Sequence, residues 1–440
     1  MNDVAATLAA GLARLPPGPL LVAFSGGLDS SVLLHALAGL PGARARGIRA
    51  VHVDHGLHPD SAAWAAHCRR MADALDIPLT IGRVQVARHG GEGLEANARR
   101  ARHAAIRAAL GEGGIVAFAH HRDDQAETVL LKLMRSAGPE GLGAMRGLRR
   151  FGPGLAWRPL LDLSRSALEA HARSHHLDWI EDPGNADPDI ERNFLRSELL
   201  PLLERRWPDA TQRLAQSAVW MRAAADYIDT QAEAALPGIL GPDPGTLDLR
   251  RWLALPLALR DPLLRRWLRH LGLPCPNRHQ FAELERQLGT AANDRLPCVR
   301  WPGAELRRYR GLLHAMPPLQ ATPVGWSASF DGTALALPAG LGTLHAITAH
   351  GAPARLAEPW RVHFDRNGGA LRLVADGPTR PLRKLFQEAG VPPWQRDRLP
   401  LLSRGGRLLA VGDRWISVEG RQRLGAIGAR LQWLPAASAH

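Results

Sequence analysis

The stretch LLVAFSGGLDSSVLLHAL, residues 20–37, decides the fold. Five apolar residues, Leu20 to Phe24, run into Ser25-Gly26-Gly27-Leu28-Asp29-Ser30, and the helical pattern SVLLHAL follows without a gap. A short apolar run that ends in a Gly-rich turn and opens a helix reads as a buried strand feeding a helix N-terminus. Two glycines let the backbone turn tightly and aim N–H groups at an anion, and the helix adds its positive end. The hydroxyls of Ser25, Ser30 and Ser31 are further donors. No GxxxxGK[ST] occurs in the chain, so the lysine of a Walker A loop is missing and a different phosphate chemistry is implied. Taken alone, the hexapeptide also fits an ordinary Gly-Gly turn with Asp29 or Ser30 as helix cap.

Working outward, IRAVHV (48–53), LTIGRVQV (79–86) and IVAFAH (115–120) read as three more buried strands. Between them, 29–39, 60–75, 94–110 and 123–136 carry apolar residues at three- and four-residue steps, which suits covering helices. This alternation predicts an α/β fold with a parallel sheet covered on both faces, whose ligands bind beyond the carboxyl ends of the strands. Two further motifs fall at those ends: Val53-Asp54-His55-Gly56-Leu57 and AHHRDDQAET, residues 119–128. Asp123 and Glu127 lie four apart in a first helical turn, so they share a face and are candidates to hold Mg²⁺ beside a triphosphate. Carboxylates also favour helix N-termini for dipole reasons alone. His120 and His121 invite a zinc reading, but adjacent side chains diverge and no third soft ligand is evident.

The rest of the chain changes character. A Gly-rich stretch at 138–154 reads as a flexible connector; its GLGAMRG follows a helix rather than a strand, which excludes a dinucleotide fingerprint. A helix over 164–177 and the polar loop EDPGNADPDIERN (181–193) come next, then a mainly helical region from about 195 to 290. The Pro-rich MPPLQATPVG, 316–325, reads as a linker before short β-like runs. Trp207, Trp220, Trp252 and Trp267 recur with Leu at helical spacing and are assigned to core rather than to base stacking. At 440 residues the chain has room for two to four domains. Its formal charge is +13, nearly all from arginine, since Lys132 and Lys384 are the only lysines. Residues 355–440 hold 15 basic and 7 acidic residues, a net +8, which points to a polyanion. Cys68, Cys275 and Cys298 are widely spaced, against a disulfide framework or zinc knuckle. No apolar run is long enough to span a bilayer and the N-terminus lacks a signal-peptide pattern, so the expected compartment is the cytoplasm, with no membrane partner.

SGGLDS, VDHGL, EANARRAR (95–102), AHHRDDQAET, RPLL (158–161) and the Asn185–Arg196 block occur in the order and spacing of the tRNA(Ile)-lysidine synthetase family, within the PP-loop ATP pyrophosphatase superfamily. RNGGALRL and PLRKLFQEAGVPPWQRDRLPLL (381–402) resemble the C-terminal domain of that family's long form. The resemblance implies an adenine nucleotide alpha hydrolase-like catalytic domain at 1–200, a helical substrate domain at 201–320 and a basic α+β tRNA-binding domain at 321–440. It implies ATP, Mg²⁺, L-lysine and a tRNA(Ile) with a CAU anticodon as reaction partners, and leaves a homodimer open. ATP would adenylate the wobble cytidine at its C2 oxygen and lysine would displace AMP, giving lysidine.

Ser25, Gly26, Gly27, Leu28, Asp29, Ser30 and His55 are then the ATP contacts, with Asp29, Asp54, Asp123, Asp124 and Glu127 as catalytic carboxylates. Arg99, Arg102, Asn185, Arg192, Asn193 and Arg196 are expected at the nucleotide or RNA, and Arg380, Arg383, Lys384, Arg396 and Arg398 along the tRNA backbone. The chain departs from the family at His103, where a tyrosine is usual, and at Gly184, often a serine. Three alternatives stay open: a tRNA-thiolating PP-loop enzyme, a small-molecule amidating PP-loop enzyme, and a noncatalytic tRNA- or nucleotide-binding protein. The first normally needs catalytic cysteines, the second no basic extension.

Overall fold

The computed structural model describes residues 3–56, 58–85, 94–187, 190–290, 297–366 and 369–434, and divides into two compact units, Met1–Ile228 and Asp229–His440. In the first unit α1 (Val4–Ala13) precedes β1 (Leu20–Ala23), α2 (Leu28–Ala38), α3 (Pro41–Ala45), β2 (Arg49–Asp54), α4 (Ser61–Ala74), β3 (Leu79–Arg83), α5 (Leu94–Leu110), β4 (Ile115–Ala117) and α6 (Arg122–Met134). Then come α7 (Pro139–Leu142), β5 (Leu148–Phe151), β6 (Gly154–Trp157) and α8 (Arg165–Ser174). The sheet order is β3-β2-β1-β4-β6-β5, parallel throughout except for the antiparallel edge strand β5.

Both faces of β1 are buried, as a continuous apolar run requires. Leu20 and Val22 pack with Val32, Leu33 and Leu37 of α2, while Leu21 on the other face packs with Val51, Val116 and Ile106. Helix α2 is buried almost all round, which explains why its sequence shows no polar stripe. The stretch read as a flexible connector is ordered instead: α7 and the β5/β6 hairpin occupy it, with β6 pairing in parallel with β4. Because β1 is flanked by β2 and β4, the chain leaves it in opposite directions, and the crevice at that switch point lies beyond the carboxyl ends of β1 and β4.

Beyond a short helix α9 (Glu191–Phe194), residues Leu195–Leu199 form a π turn, followed by α10 (Leu200–Arg206) and the long α11 (Ala210–Ala235). Leu195 and Leu200, five apart, are both buried against Ala126 and Leu130 of α6. A turn closing on the fifth residue brings such a pair to one side, which a regular α-helix does not.

In the second unit β7 (Thr246–Asp248), β8 (Cys298–Trp301), β9 (Ala304–Tyr309) and β10 (Leu312–Met316) form an antiparallel sheet of order β7-β10-β9-β8. It shares a core with Trp252, Trp267 and Leu264 from helices between β7 and β8. A purely helical reading of 201–320 omits this sheet, because AELRRY and LLHAM mix charged and apolar residues without clear alternation. From Ser327 onward the chain builds two more antiparallel sheets around Phe330, Trp360, Val362 and Leu402. Trp252 and Trp267 are core as expected, but Trp207 and Trp220 are 51% and 67% exposed, so helical spacing misassigns them.

Candidate active site

The Gly loop is held by its own hydroxyls. Ser25 and Ser30 share a hydrogen bond of 3.0 Å, Ser30 Oγ donates to the Gly27 carbonyl at 3.0 Å, and Ser31 Oγ donates to the Gly26 carbonyl at 3.3 Å. The helix cap is Gly27 rather than Asp29 or Ser30, and no side chain caps the start of α2. That leaves the helix N-terminus to a ligand acceptor. Gly26 has φ +84°, and a Cβ there would lie 2.5 Å from Ile180 Cδ1 and 2.8 Å from Cys68 Sγ. The loop is thus packed from behind, and its second residue has to be glycine.

A crevice of about 930 Å³ opens in front of it. Ser25, Gly27, Leu28, Asp29, Ser30, His55, Arg99, Arg102, Asp124, Arg192 and Arg196 all line it, so the structure brings together most of the residues singled out in sequence. Trp64, Arg165 and Trp179 line it as well and carried no motif. Their only signal was position, in helices and loops whose neighbours bear the motifs.

Helix α6 supplies the acidic wall. His121 has no exposed side-chain surface and is ringed at ion-pair distance by Asp123 (3.4 Å), Asp29 (3.5 Å) and Asp124 (3.6 Å). Burial opposes its charging, but the carboxylates of Asp123, Asp29 and Asp124 outweigh it and push its pKa up to about 10. The imidazolium ties α2 to the start of α6. His120, one residue away, is pushed down to about 3 by burial and by Arg158, Arg192 and Arg99, against the pull of Asp124, and is neutral. Asp123 and Asp124 both sit below the ordinary carboxylate value: burial opposes this, and His121 is the main partner that wins. His121 was overlooked because the sequence gives no hint that Asp29 meets it.

Glu127 is fully buried and accepts from Arg192 Nε at 2.7 Å and Arg196 Nε at 2.8 Å. Arg192 and Arg196 are four apart across α9 and the π turn, and the two forks converge on one carboxylate. The pairing of Asp123 and Glu127 around Mg²⁺ therefore does not fit: each Glu127 oxygen is engaged by a guanidinium, and Asp123 Oδ2 faces His121 and accepts from the Arg165 backbone at 3.0 Å. Asp29 fits better, since its Oδ1 is buried with no hydrogen-bond partner. Among the described residues, no preformed cluster of three or more His, Cys, Asp or Glu is poised for a metal.

Other residues hold the walls. Asp54 Oδ1 accepts from Gly56 N at 2.9 Å and shapes the turn that presents His55, without lining the crevice itself. Asn193 Nδ2 donates to the carbonyls of Gly184 and Asp187, both at 2.9 Å, so its amide closes the 184–187 loop. The side chain of Asn185 lies outside the described residues. His103 keeps an aromatic contact despite not being tyrosine: it stands edge-on to Phe151 at 5.6 Å, and burial with Arg99 and Arg102 nearby pushes its pKa down to about 4.

In the second unit Arg383 and Lys384 are exposed. Arg380 is ion-paired to Glu388, Arg396 Nε donates to Val391 O at 2.8 Å, and Arg398 Nη2 donates to Ala339 O at 3.0 Å. Of the five, only the first two present cations that no described side-chain pair restrains.

The sequence comparisons agree with this geometry. The PP-loop domain family matches residues 2–203, the TilS substrate binding domain 247–314 and the TilS substrate C-terminal domain 360–433. A tRNA(Ile)-lysidine synthase of Xanthomonas axonopodis pv. citri is 48% identical over 98% of this chain and 97% of its own length. The chain belongs to the tRNA(Ile)-lysidine synthase family. Other members of the family include those of Xanthomonas campestris pv. campestris, 45% identical over 97% of both chains, and Xylella fastidiosa, 44% identical over 97% of this chain and 98% of its own. In the family's terms, the first match ends just past α10's start, and the second covers β7 to β10 with the helices between.

Proposed function

We infer that the chain is a tRNA(Ile)-lysidine synthase, an ATP-consuming ligase that forms a carbon–nitrogen bond. ATP adenylates the C2 oxygen of the wobble cytidine in a CAU anticodon and releases pyrophosphate. The ε-amine of L-lysine then attacks C2, AMP leaves with the oxygen, and lysidine results. A carbonyl-like oxygen is a poor leaving group, and the phosphate ester makes it a good one.

The observation that carries this reading is the uncapped start of α2 behind the Ser25–Ser30 loop, facing arginines across a switch-point crevice. That N-terminus suits the departing pyrophosphate, and Arg99, Arg102 and Arg165 suit the charge that grows on the phosphates. Mg²⁺ would bridge and neutralise the phosphates, held by Asp29 with Asp124 beside it. Arg192 and Arg196, fixed by Glu127, position the 184–196 loop for the cytosine edge. Asp124 is also placed to receive the lysine ammonium. We assign the tRNA backbone to the basic C-terminal part, with Arg383 and Lys384 its exposed cations, and a three-part division at about residues 200 and 320. The working place of such an enzyme is the cytoplasm. No helix among the described residues is long and apolar enough to cross a membrane.

A thiolating chemistry suits the chain less well: Cys68 is fully buried behind the loop, and burial pushes its thiol up to about 12, which removes the thiolate a sulfur carrier needs. Radiolabelled lysine should enter tRNA(Ile) bearing CAU, dependent on ATP and Mg²⁺, and Asp29→Ala should abolish this while leaving the circular dichroism spectrum unchanged. Incorporation of sulfur, or ATP binding with no label transferred, would overturn the reading.

A further inference from the structure

The Pro-rich segment read as a linker is one wall of a second crevice, of about 920 Å³, contained within the second unit. Its size suits a nucleotide-sized ligand. Five arginines and two aspartates line it, an excess of positive charge at a site remote in sequence from every motif of the Gly loop.

Its deepest polar atoms are donors without acceptors. Trp394 Nε1 and the Nε and Nη2 atoms of Arg366 are buried and have no hydrogen-bond partner among the described residues. Arg366 keeps one ion pair, from Nη1 to Asp397 at 3.4 Å, and lies over the Phe386 ring. Buried donors left unmade are costly, and groups that can only donate are satisfied only by an acceptor-rich ligand. Arg361, exposed at the rim, adds a cation with no described partner. Half-buried Trp326 lines the same wall, tilted on Phe364 at 5.5 Å, and offers an aromatic face. Arg307 over the Trp394 ring at 5.3 Å stiffens the floor. A planar base can stack on such a face, and an oxyanion matches a donor-only floor.

We propose that this crevice binds a nucleoside monophosphate unit, its phosphate meeting Arg366, Trp394 and Arg361 and its base stacking on Trp326. The unit is either a free nucleotide or the end of an RNA strand. This goes beyond the ligase reading and does not depend on it, because the crevice shares no residue with the Gly-loop site.

The test uses the full-length protein and two photoreactive probes, 4-thiouridine 5′-monophosphate and a 12-nucleotide RNA ending in 4-thiouridine. Crosslinks are mapped by peptide mass spectrometry, which separates this crevice from the Gly-loop site. Crosslinking is expected within 319–326 or 394–398, competed by inorganic phosphate. It should fall at least tenfold in Arg361→Gln, a rim change that leaves the fold intact, and in Trp394→Phe. A stronger crosslink with the mononucleotide identifies a small-molecule site, and a stronger one with the RNA identifies a strand-end site. Crosslinks confined to the Gly-loop crevice, or equal yields in the wild type and Arg361→Gln, would overturn the proposal.

Discussion

Replacing Glu127 with Gln removes a charge but keeps the shape of the side chain. In the wild type both carboxylate oxygens are engaged, at 2.7 and 2.8 Å, and the residue is fully buried. Removing one partner of a buried ion pair costs about 3–5 kcal/mol when the other is left stranded. Here Arg192 and Arg196 are 27% and 33% exposed and can regain water, and Asp124 stays within 3.4 Å of Arg196, so the expected penalty drops to about 2–3 kcal/mol. It falls on the segment the arginines anchor. At 1.36 kcal/mol per decade, hydrogen exchange of amides in 191–200 should accelerate about 30- to 150-fold. Amides of β1 and the α2 interior should hardly change, since their packing does not involve Glu127. Unchanged exchange over 191–200, or equal acceleration everywhere, would refute the view that this carboxylate pins the loop locally.

Other expectations follow from single features. Gly26→Ala places a Cβ 2.5 Å from Ile180 Cδ1 in a backbone at φ +84°; overpacking alone costs about 1–3 kcal/mol, so urea unfolding should show at least that loss and ATP binding should weaken, whereas wild-type stability would refute the tight packing. His171, pushed down to about 4 by burial and by His175 and His35 despite Asp3, stays neutral when folded. The unfolded chain takes up its proton first, near 6.5, so stability should fall as pH drops from there through about 4; His171→Gln should flatten that limb, and an unaltered pH profile would count against it. Trp252→Ala should cost about 3–5 kcal/mol as a buried large-to-small change, while Trp220→Ser, at a 67% exposed site, should stay within about 0.5 kcal/mol; similar midpoints for both would be a failure of the burial assignment.

The catalytic half of the chain was legible because its signals are local. A buried parallel strand is a continuous apolar run, the covering helices keep their three- and four-residue steps, and the Gly turn sits where the two meet. The strands following 297 were harder, since half-exposed edge strands such as AELRRY carry arginines where a pattern needs alternation. Site residues were found where a motif marked them and missed where chemistry depends on convergence. Nothing in the sequence joins Asp29 to His121, or Glu127 to arginines 65 and 69 positions later. The same blindness put Glu127 beside a metal, since helical spacing shows which residues share a face but not what that face meets. Tryptophan spacing failed for a related reason: α11 has the periodicity of a packed helix but leaves Trp220 in water.

The π turn at 195–199 makes this segment tolerant of altered side chains but intolerant of altered length. Deleting a single residue there would restore an ordinary helix and swing everything after it by about 100°. Leu200 would then turn away from Ala126 and Leu130, and the spacing that lets two guanidiniums share one carboxylate would be lost. Frameshift-free single-codon deletions across 195–199 should thus be far rarer among functional variants than substitutions at the same positions.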